Sequence, residues 1–346
     1  MWRVSYTVKA AIAHALYWLG ILDLWRRVAL RNKAVVLMYH RVLSSAERER
    51  TGSHPSYVVG DRTFTSQIEY LSSRFTVLSE QQFAQHLDDQ RPFPNSSCLI
   101  TFDDGWIDNL TKALPVLRRH GLPAVIYLPG NFIGRRRLFA REALTHLLAN
   151  AVILARNNDP RLAEVTGVLQ RNRLAKILDI TAANPLPSVI EAVAKSHRRA
   201  QDSAQLIADL QDAMGVAVDD FDTPDTFVSW DQVREMARNR ITFGGHGVEH
   251  RLLGELPPSE AEHEIREARS VISTELVSVM SFSYPNGSLT PAVRSTVQAA
   301  GYQFALTIEP GLVAASDDPF TIRRVNVHED MTNSTPMFLA RILGLF

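Results

Sequence analysis

The chain has 346 residues, 45% of them hydrophobic, and its 37 basic residues balance 37 acidic ones to a net charge of zero. That is enough length and apolar content for one large α/β domain or two smaller ones. The neutral balance and the lack of a sustained basic stripe remove any electrostatic argument for a nucleic-acid partner, and the single cysteine, Cys98, cannot form an internal disulfide and reads as a packing residue in an apolar run.

Residues 1–33 read as an amphipathic helix. Ala10 to Trp25 is mostly apolar and follows Arg3 and Lys9, with Leu16, Trp18, Leu19, Leu22 and Trp25 on one face and Arg26, Arg27 and Arg31 beyond. Three outcomes stay open: a helix packed on the domain, peripheral contact with a membrane surface, or a cleaved signal. His14 and Asp23 interrupt the run, no small-x-small cleavage site follows, and the stretch is shorter than the ~20 residues that span a bilayer. The expected location is cytoplasmic or peripheral to the inner membrane, with the periplasm also open, and the sequence sets no oligomeric state.

Residues 34–346 read as one barrel-like domain with a helical insertion at about 131–228. Ala34–Tyr39 is a buried strand ending at His40, and Phe64, Ile68, Leu71 and Phe75 form a helical stripe. The strand Cys98–Ile100 runs into Asp103 and Asp104; a helix through Leu110, Leu114 and Leu117 closes at Gly121, and Ala124–Leu128 is the next strand. This rhythm predicts parallel pairing with right-handed crossovers. It breaks from Gly130 to about Pro224, a charged helical stretch expected either over the barrel mouth or as a solvated helical hairpin. It returns at Ser229–Gln232, which has capping-box spacing, and continues through a strand Ile241–Gly245, a helix capped by Ser259 and Glu262, a helix opening at Thr290-Pro291, and closing strands Phe304–Ile308 and Ile322–Val327.

Chemically suggestive residues fall at strand carboxyl ends: His40, Asp103, Asp104, His246 and Tyr284. Barrel enzymes place their sites there. Two adjacent carboxylates raise each other's pKa unless a cation or a proton-transfer task separates them. The i, i+4 pair His246 and His250 predicts two imidazoles on one face of a helical turn, able to share an ion. One Asp and two His leave room for water on a metal, most simply zinc, that brings the water's pKa to roughly 7. The competing account is a helix-capping Asp and a surface His pair.

Thr101-Phe102-Asp103-Asp104-Gly105 and His246-Gly247-Val248-Glu249-His250 resemble the first two motifs of the polysaccharide deacetylases (the NodB-homology domain), and Leu37–Val42 resembles the opening strand of one bacterial branch. Phe282-Ser283-Tyr284-Pro285-Asn286-Gly287 resembles a variant third motif, with Ser283 where many members have Arg and Asn286 where they have Tyr. The resemblance implies a distorted (β/α) barrel with fewer than eight strands and a divalent metal, Zn2+ foremost, on Asp104, His246 and His250. It makes Asp103 the general base, with support of a ligand histidine as the alternative role. The acid that protonates the leaving amine is His40 or His328: a late-strand histidine favours His328 by position, while the first-strand mouth favours His40. Tyr284, Pro285 and Asn286 are read as a loop whose backbone N–H stabilises an oxyanion, or as an ordinary turn. Trp106 is read as a sugar-stacking side chain or as core.

The function implied is metal-dependent removal of N-acetyl groups from amino sugars of a bacterial surface polysaccharide or its precursor, with an N-acetylated glycan as partner. A non-catalytic glycan-binding barrel and an amidohydrolase of small non-sugar amides stay open beside it.

Overall fold

The computed structural model describes residues 5–196, 200–276 and 278–346; Arg3 and insertion residues 197–199 lie outside them. It divides into two compact units, one made of Met1–Val42, Pro55–Gly134 and Phe227–Phe346, the other of Leu43–His54 and Arg135–Thr226.

The first unit is a mixed α/β structure around a curled parallel sheet, a distorted (β/α) barrel. Strands β1 (Lys33–Tyr39), β2 (Ser97–Asp103), β3 (Ala124–Leu128), β4 (Ile241–Gly245), β5 (Ser281–Ser283) and β6 (Phe304–Leu306) lie side by side in that order, all parallel. The cause is composition: β2 and β3 are buried at every residue, and β1 from Ala34 onward, as unbroken apolar runs in a parallel sheet must be. After β6 the chain turns back. Strand β7 (Leu312–Ala314) pairs antiparallel with the start of β1, and β8 (Val325–Asn326) pairs parallel with its end. Ile322 bridges to Leu306 on β6, so residues 322–326 touch both margins of the parallel set.

Register levels the strand ends. Tyr39 lies opposite Phe102, Asp103 opposite Tyr127, Leu128 opposite Gly245, and Gly245 opposite Phe282. His40, Asp103, His246 and Ser283 therefore stand around one rim.

Several local expectations change. The Ser229 capping box forms, with Ser229 Oγ accepting from Gln232 N and Gln232 Oε1 accepting from Ser229 N. The Ser259–Glu262 box does not: that helix is Pro258–Glu275, opened by a proline at its first position, and Glu262 pairs with Arg266 instead. The first helix is two, α1 (Tyr6–Trp18) and α2 (Ile21–Ala29), bent by 85° where Gly20 takes a left-handed conformation.

The second unit packs the helices Ala140–Arg156, Leu162–Arg171, Leu186–Lys195 and Ala200–Met214 around a core including Leu147, Leu148, Val152, Leu169, Val189 and Leu210. Residues 43–54, read from sequence as barrel, join this unit because buried Asp225 accepts from the Thr51 hydroxyl (2.5 Å), Gly52 N (2.6 Å) and the His146 ring (2.8 Å).

Candidate active site

Asp103 ends β2, and Asp104 follows in the left-handed region (φ 78°), which Asp tolerates better than most residues. The two carboxylates take different partners. Asp104 Oδ2 accepts from Trp106 Nε1 at 2.9 Å, while Oδ1 is buried without a hydrogen-bond partner, 3.5 Å from both His246 Nε2 and His250 Nε2.

His246 follows β4, is buried, and donates through Nδ1 to Ser283 O at 2.7 Å, which leaves Nε2 as the lone-pair nitrogen facing Asp104. The helical turn expected from His246 to His250 is a loop. Gly247 (φ 73°) and His250 (φ 54°) turn the chain, and the two rings sit 4.8 Å apart. Glu264 holds this loop, its Oε2 accepting from Val248 N at 2.8 Å and Glu249 N at 3.0 Å. A Cβ at position 247 would lie 2.9 Å from that oxygen, so glycine is required on steric as well as conformational grounds. Glu264 was missed from sequence; its signal is a charge on the buried stripe Ala261, Ile265 and Ala268.

Asp104, His246 and His250 offer ligand atoms all within 4.8 Å of one another. Ligands about 2.1 Å from a tetrahedral ion stand about 3.4 Å apart. The two 3.5 Å separations fit that edge, and they are too long for hydrogen bonds of about 2.7–3.2 Å. An orphaned carboxylate oxygen between two imidazole nitrogens is thus a donor set that suits a divalent ion.

The three groups differ electrostatically. Burial alone would raise the Asp104 carboxyl, but the neighbouring His246, His250 and His40 rings hold it well below the usual carboxylate range. Burial pushes His250 down to about 4, helped by His246, so its ring is neutral at pH 7 with a lone pair to give. Burial also acts to lower His246, but Asp103 and Asp104 outweigh it and raise that ring above the ordinary value.

Asp103 has a different anchor, and it too was missed. Arg324, one residue before β8 and fully buried, donates from its two terminal nitrogens to Oδ1 at 2.8 Å and Oδ2 at 2.7 Å, and one of them also donates to Ser283 Oγ at 2.8 Å. Its Nε donates to Thr307 O at 2.8 Å. Burial would raise Asp103, and the Arg324 guanidinium more than offsets it, keeping the carboxylate ionised. Ser283 stands where the third motif often has Arg, and its small side chain leaves the space that Arg324 fills from another strand.

His40 follows β1 with its ring 4.8 Å from Tyr57, its Nδ1 is buried without a partner, and its backbone oxygen accepts from Asn109. Burial lowers its pKa against the opposing pull of Asp103 and Asp104. His328 caps the helix Glu329–Thr332 in extended conformation, four residues after Arg324.

The expected substrate loop is placed differently. Tyr284 is fully buried; its hydroxyl donates to Phe320 O at 3.0 Å, its N–H donates to Leu306 O, and its ring meets Phe282 edge-on, so it serves the core. Pro285 is buried beside the His loop, 3.6 Å from where a Cβ on Gly247 would be, and Asn286 is exposed at φ 49°. Trp106 is no open sugar platform. It is 2% exposed, stacked on Phe227 at 4.4 Å and under the Arg41 guanidinium, and its indole N–H orients Asp104.

A curled parallel half-barrel with an Asp-His-His cluster at its carboxyl rim defines a class of hydrolase. The polysaccharide deacetylase family model matches residues 90–156 and 171–305, and the chain belongs to that family. It is a hydrolase acting on carbon–nitrogen bonds other than peptide bonds. The chain is 20% identical over 313 residues to Bacillus subtilis YxkH, which carries a polysaccharide deacetylase name, covering 90% of this chain and 77% of that one. It is 34% identical over 114 residues to the poly-beta-1,6-N-acetyl-D-glucosamine N-deacetylase of Staphylococcus epidermidis, covering 30% of this chain and 38% of the relative. The solved structure of IcaB from Ammonifex degensii shares the fold, with a TM-score of 0.57 at 18% identity over 90% of this chain and 97% of that one.

Proposed function

We propose that the protein removes N-acetyl groups from amino sugars of a bacterial surface polysaccharide or its precursor, with a divalent metal, zinc foremost, on Asp104, His246 and His250. The observation that carries this is Asp104 Oδ1, buried, without a hydrogen bond, and 3.5 Å from both imidazole nitrogens. The name of the Staphylococcus epidermidis relative supports the amino-sugar substrate. When bound, the ion would polarise the amide carbonyl and make water a stronger acid.

The chain's own residues supply the rest. Asp103, spared from the ligand set and kept ionised by Arg324, takes the proton as water attacks the acetyl carbon. Arg324 and Ser283 fix its carboxylate plane, and Trp106 fixes that of Asp104. His40 or His328 returns a proton to the departing amine, and neutral, buried His40 would gain that proton only beside the two carboxylates. Pro285 and Asn286 bring backbone to the rim next to the His loop.

The test is acetate release from N-acetylglucosamine oligomers, read with elemental analysis. His246→Ala and His250→Ala should each lose metal and turnover, as should Asp104→Asn, whereas Asp103→Asn should keep the metal and lose ~10²-fold or more in kcat. Full metal occupancy in the doubly substituted His246→Ala/His250→Ala protein would remove the site, and equal behaviour of the two Asp variants would remove the division between ligand and base.

A further inference from the structure

The first two helices show their large apolar side chains to solvent. Trp18 is 81% exposed, Leu19 73%, Val28 69% and Leu24 63%, with Ile12, Ile21 and Trp25 at 40–46%. Almost all the exposed large apolar residues among those described lie on these helices or their joint; Ile153 and Ile308 are the others. A helix packed for solubility turns its bulkiest side chains inward. Here the inward positions of α1 are small: Ala13 is buried against Met337 and Ala340 of the helix Thr335–Ile342, with Ala10 beside it.

The pair is firmly seated. Leu22 and Leu30 are buried, and Arg26 donates to Arg74 O at 2.8 Å and to Ser96 Oγ, so α2 cannot roll its outer face under without breaking buried polar contacts. The outer surface is also cationic. Residues 5–33 carry five basic side chains against one acid, Asp23, which Arg26 and Arg27 neutralise, in a chain whose total charge is zero. Arg27 on α2 and Arg31 and Lys33 just after it are exposed. With 13 and 9 residues the helices are about 20 and 14 Å long, well under the ~30 Å hydrocarbon core. No single helix among the described residues is long and apolar enough to cross a membrane.

We propose that the outer surface of α1 and α2 docks on an anionic phospholipid surface, with Trp18, Leu19, Leu24 and Val28 in the interface and Arg27, Arg31 and Lys33 against headgroups. Charge complementarity selects this occupant: a second copy would bring the same cations face to face, whereas an anionic leaflet attracts each of them. Two tryptophans beside basic residues suit the boundary between headgroup and acyl chain. The site lies outside the catalytic residues, so its test is independent of the deacetylase reading.

The experiment is co-sedimentation of the full chain with vesicles of phosphatidylcholine alone or with about 30% phosphatidylglycerol, with quenching of tryptophan fluorescence by brominated acyl chains. Partition onto anionic vesicles should exceed that onto neutral ones by tenfold or more and fall with salt, as expected for three cations near the surface. Trp18→Ser with Leu24→Ser should reduce partition at least tenfold and remove the quenching, and Arg27→Gln with Arg31→Gln should abolish the preference for anionic lipid. These residues are exposed, so circular dichroism and metal content should be unchanged. Equal or absent partition on both vesicles overturns the proposal. So does a concentration-dependent dimer in lipid-free solution that Trp18→Ser with Leu24→Ser dissociates.

Discussion

Arg324→Met tests whether the base is held from the last strand. In the native chain the Asp103–Arg324 pair is bidentate at 2.7 and 2.8 Å, with both side chains almost fully buried. Removing the arginine leaves a buried carboxylate whose remaining side-chain contact is Ser283 Oγ at 3.3 Å. Breaking such a pair from one side costs about 3–5 kcal/mol, chiefly because the surviving charge is left unpaired. Asp103→Asn should cost a comparable amount by stranding Arg324. The double variant removes both charges, so its loss should be smaller than the sum of the singles by about 2–3 kcal/mol, the scale of coupling within one polar network. The assay is urea unfolding of the three variants beside wild type, with acetate release measured on each. Arg324→Met should also lose ~10²-fold in kcat with metal retained, since a carboxylate without its clamp is a poorly aimed base. Strict additivity of the stability losses, or near-wild-type kcat in Arg324→Met, would refute the coupling.

Glu80, at the first turn of Glu80–Asp88, is buried against Ser281, and burial raises its carboxyl to about 6. Its protonated form is favoured in the fold, so the associated stability is present below the unfolded value near 4.5 and is lost as pH rises through about 6. Glu80→Gln should therefore gain on wild type by about 2 kcal/mol between pH 4 and pH 7.5 in chemical unfolding, and a difference that does not change with pH would sink this account. For the acid, His40→Ala should cost more than His328→Ala, by ~10²–10⁴-fold with metal retained, and an aryl acetate, whose leaving group needs no proton, should recover much of the loss. A larger, rescuable loss in His328→Ala would exchange the two assignments.

What was legible in the sequence is what local pattern controls. Apolar runs announced β1, β2 and β3, because burial on both faces leaves no other composition, and the motifs holding Asp104, His246 and His250 announced three side chains that the fold brings together. The helical turn at the histidines failed because spacing carries no information on backbone sign: Gly247 and His250 both take positive φ, and a loop brings the imidazoles together instead. Tyr284 and Trp106 were ambiguous for the same reason that any large amphipathic ring is, since only tertiary packing decides whether it faces a cleft or a core.

Arg324 shows the deepest limit. Nothing near it in sequence marks it, because its partner lies 221 positions away and becomes a neighbour only when residues 325–326 pair with β1. Yet the gap was visible from the other side: a serine at position 283, where the third motif often has arginine, leaves a buried carboxylate that needs a cation. A buried Asp without a counter-charge is too costly to keep ionised, so the missing partner at 283 implied a donor elsewhere on the barrel. Arg324 stands next to Arg323 between Ile322 and Val325, and only the fold decides between the two: Arg323 is exposed and Arg324 is buried. An absent motif residue, read as an unpaid charge, can thus direct the search to a long-range partner that motif matching alone passes over.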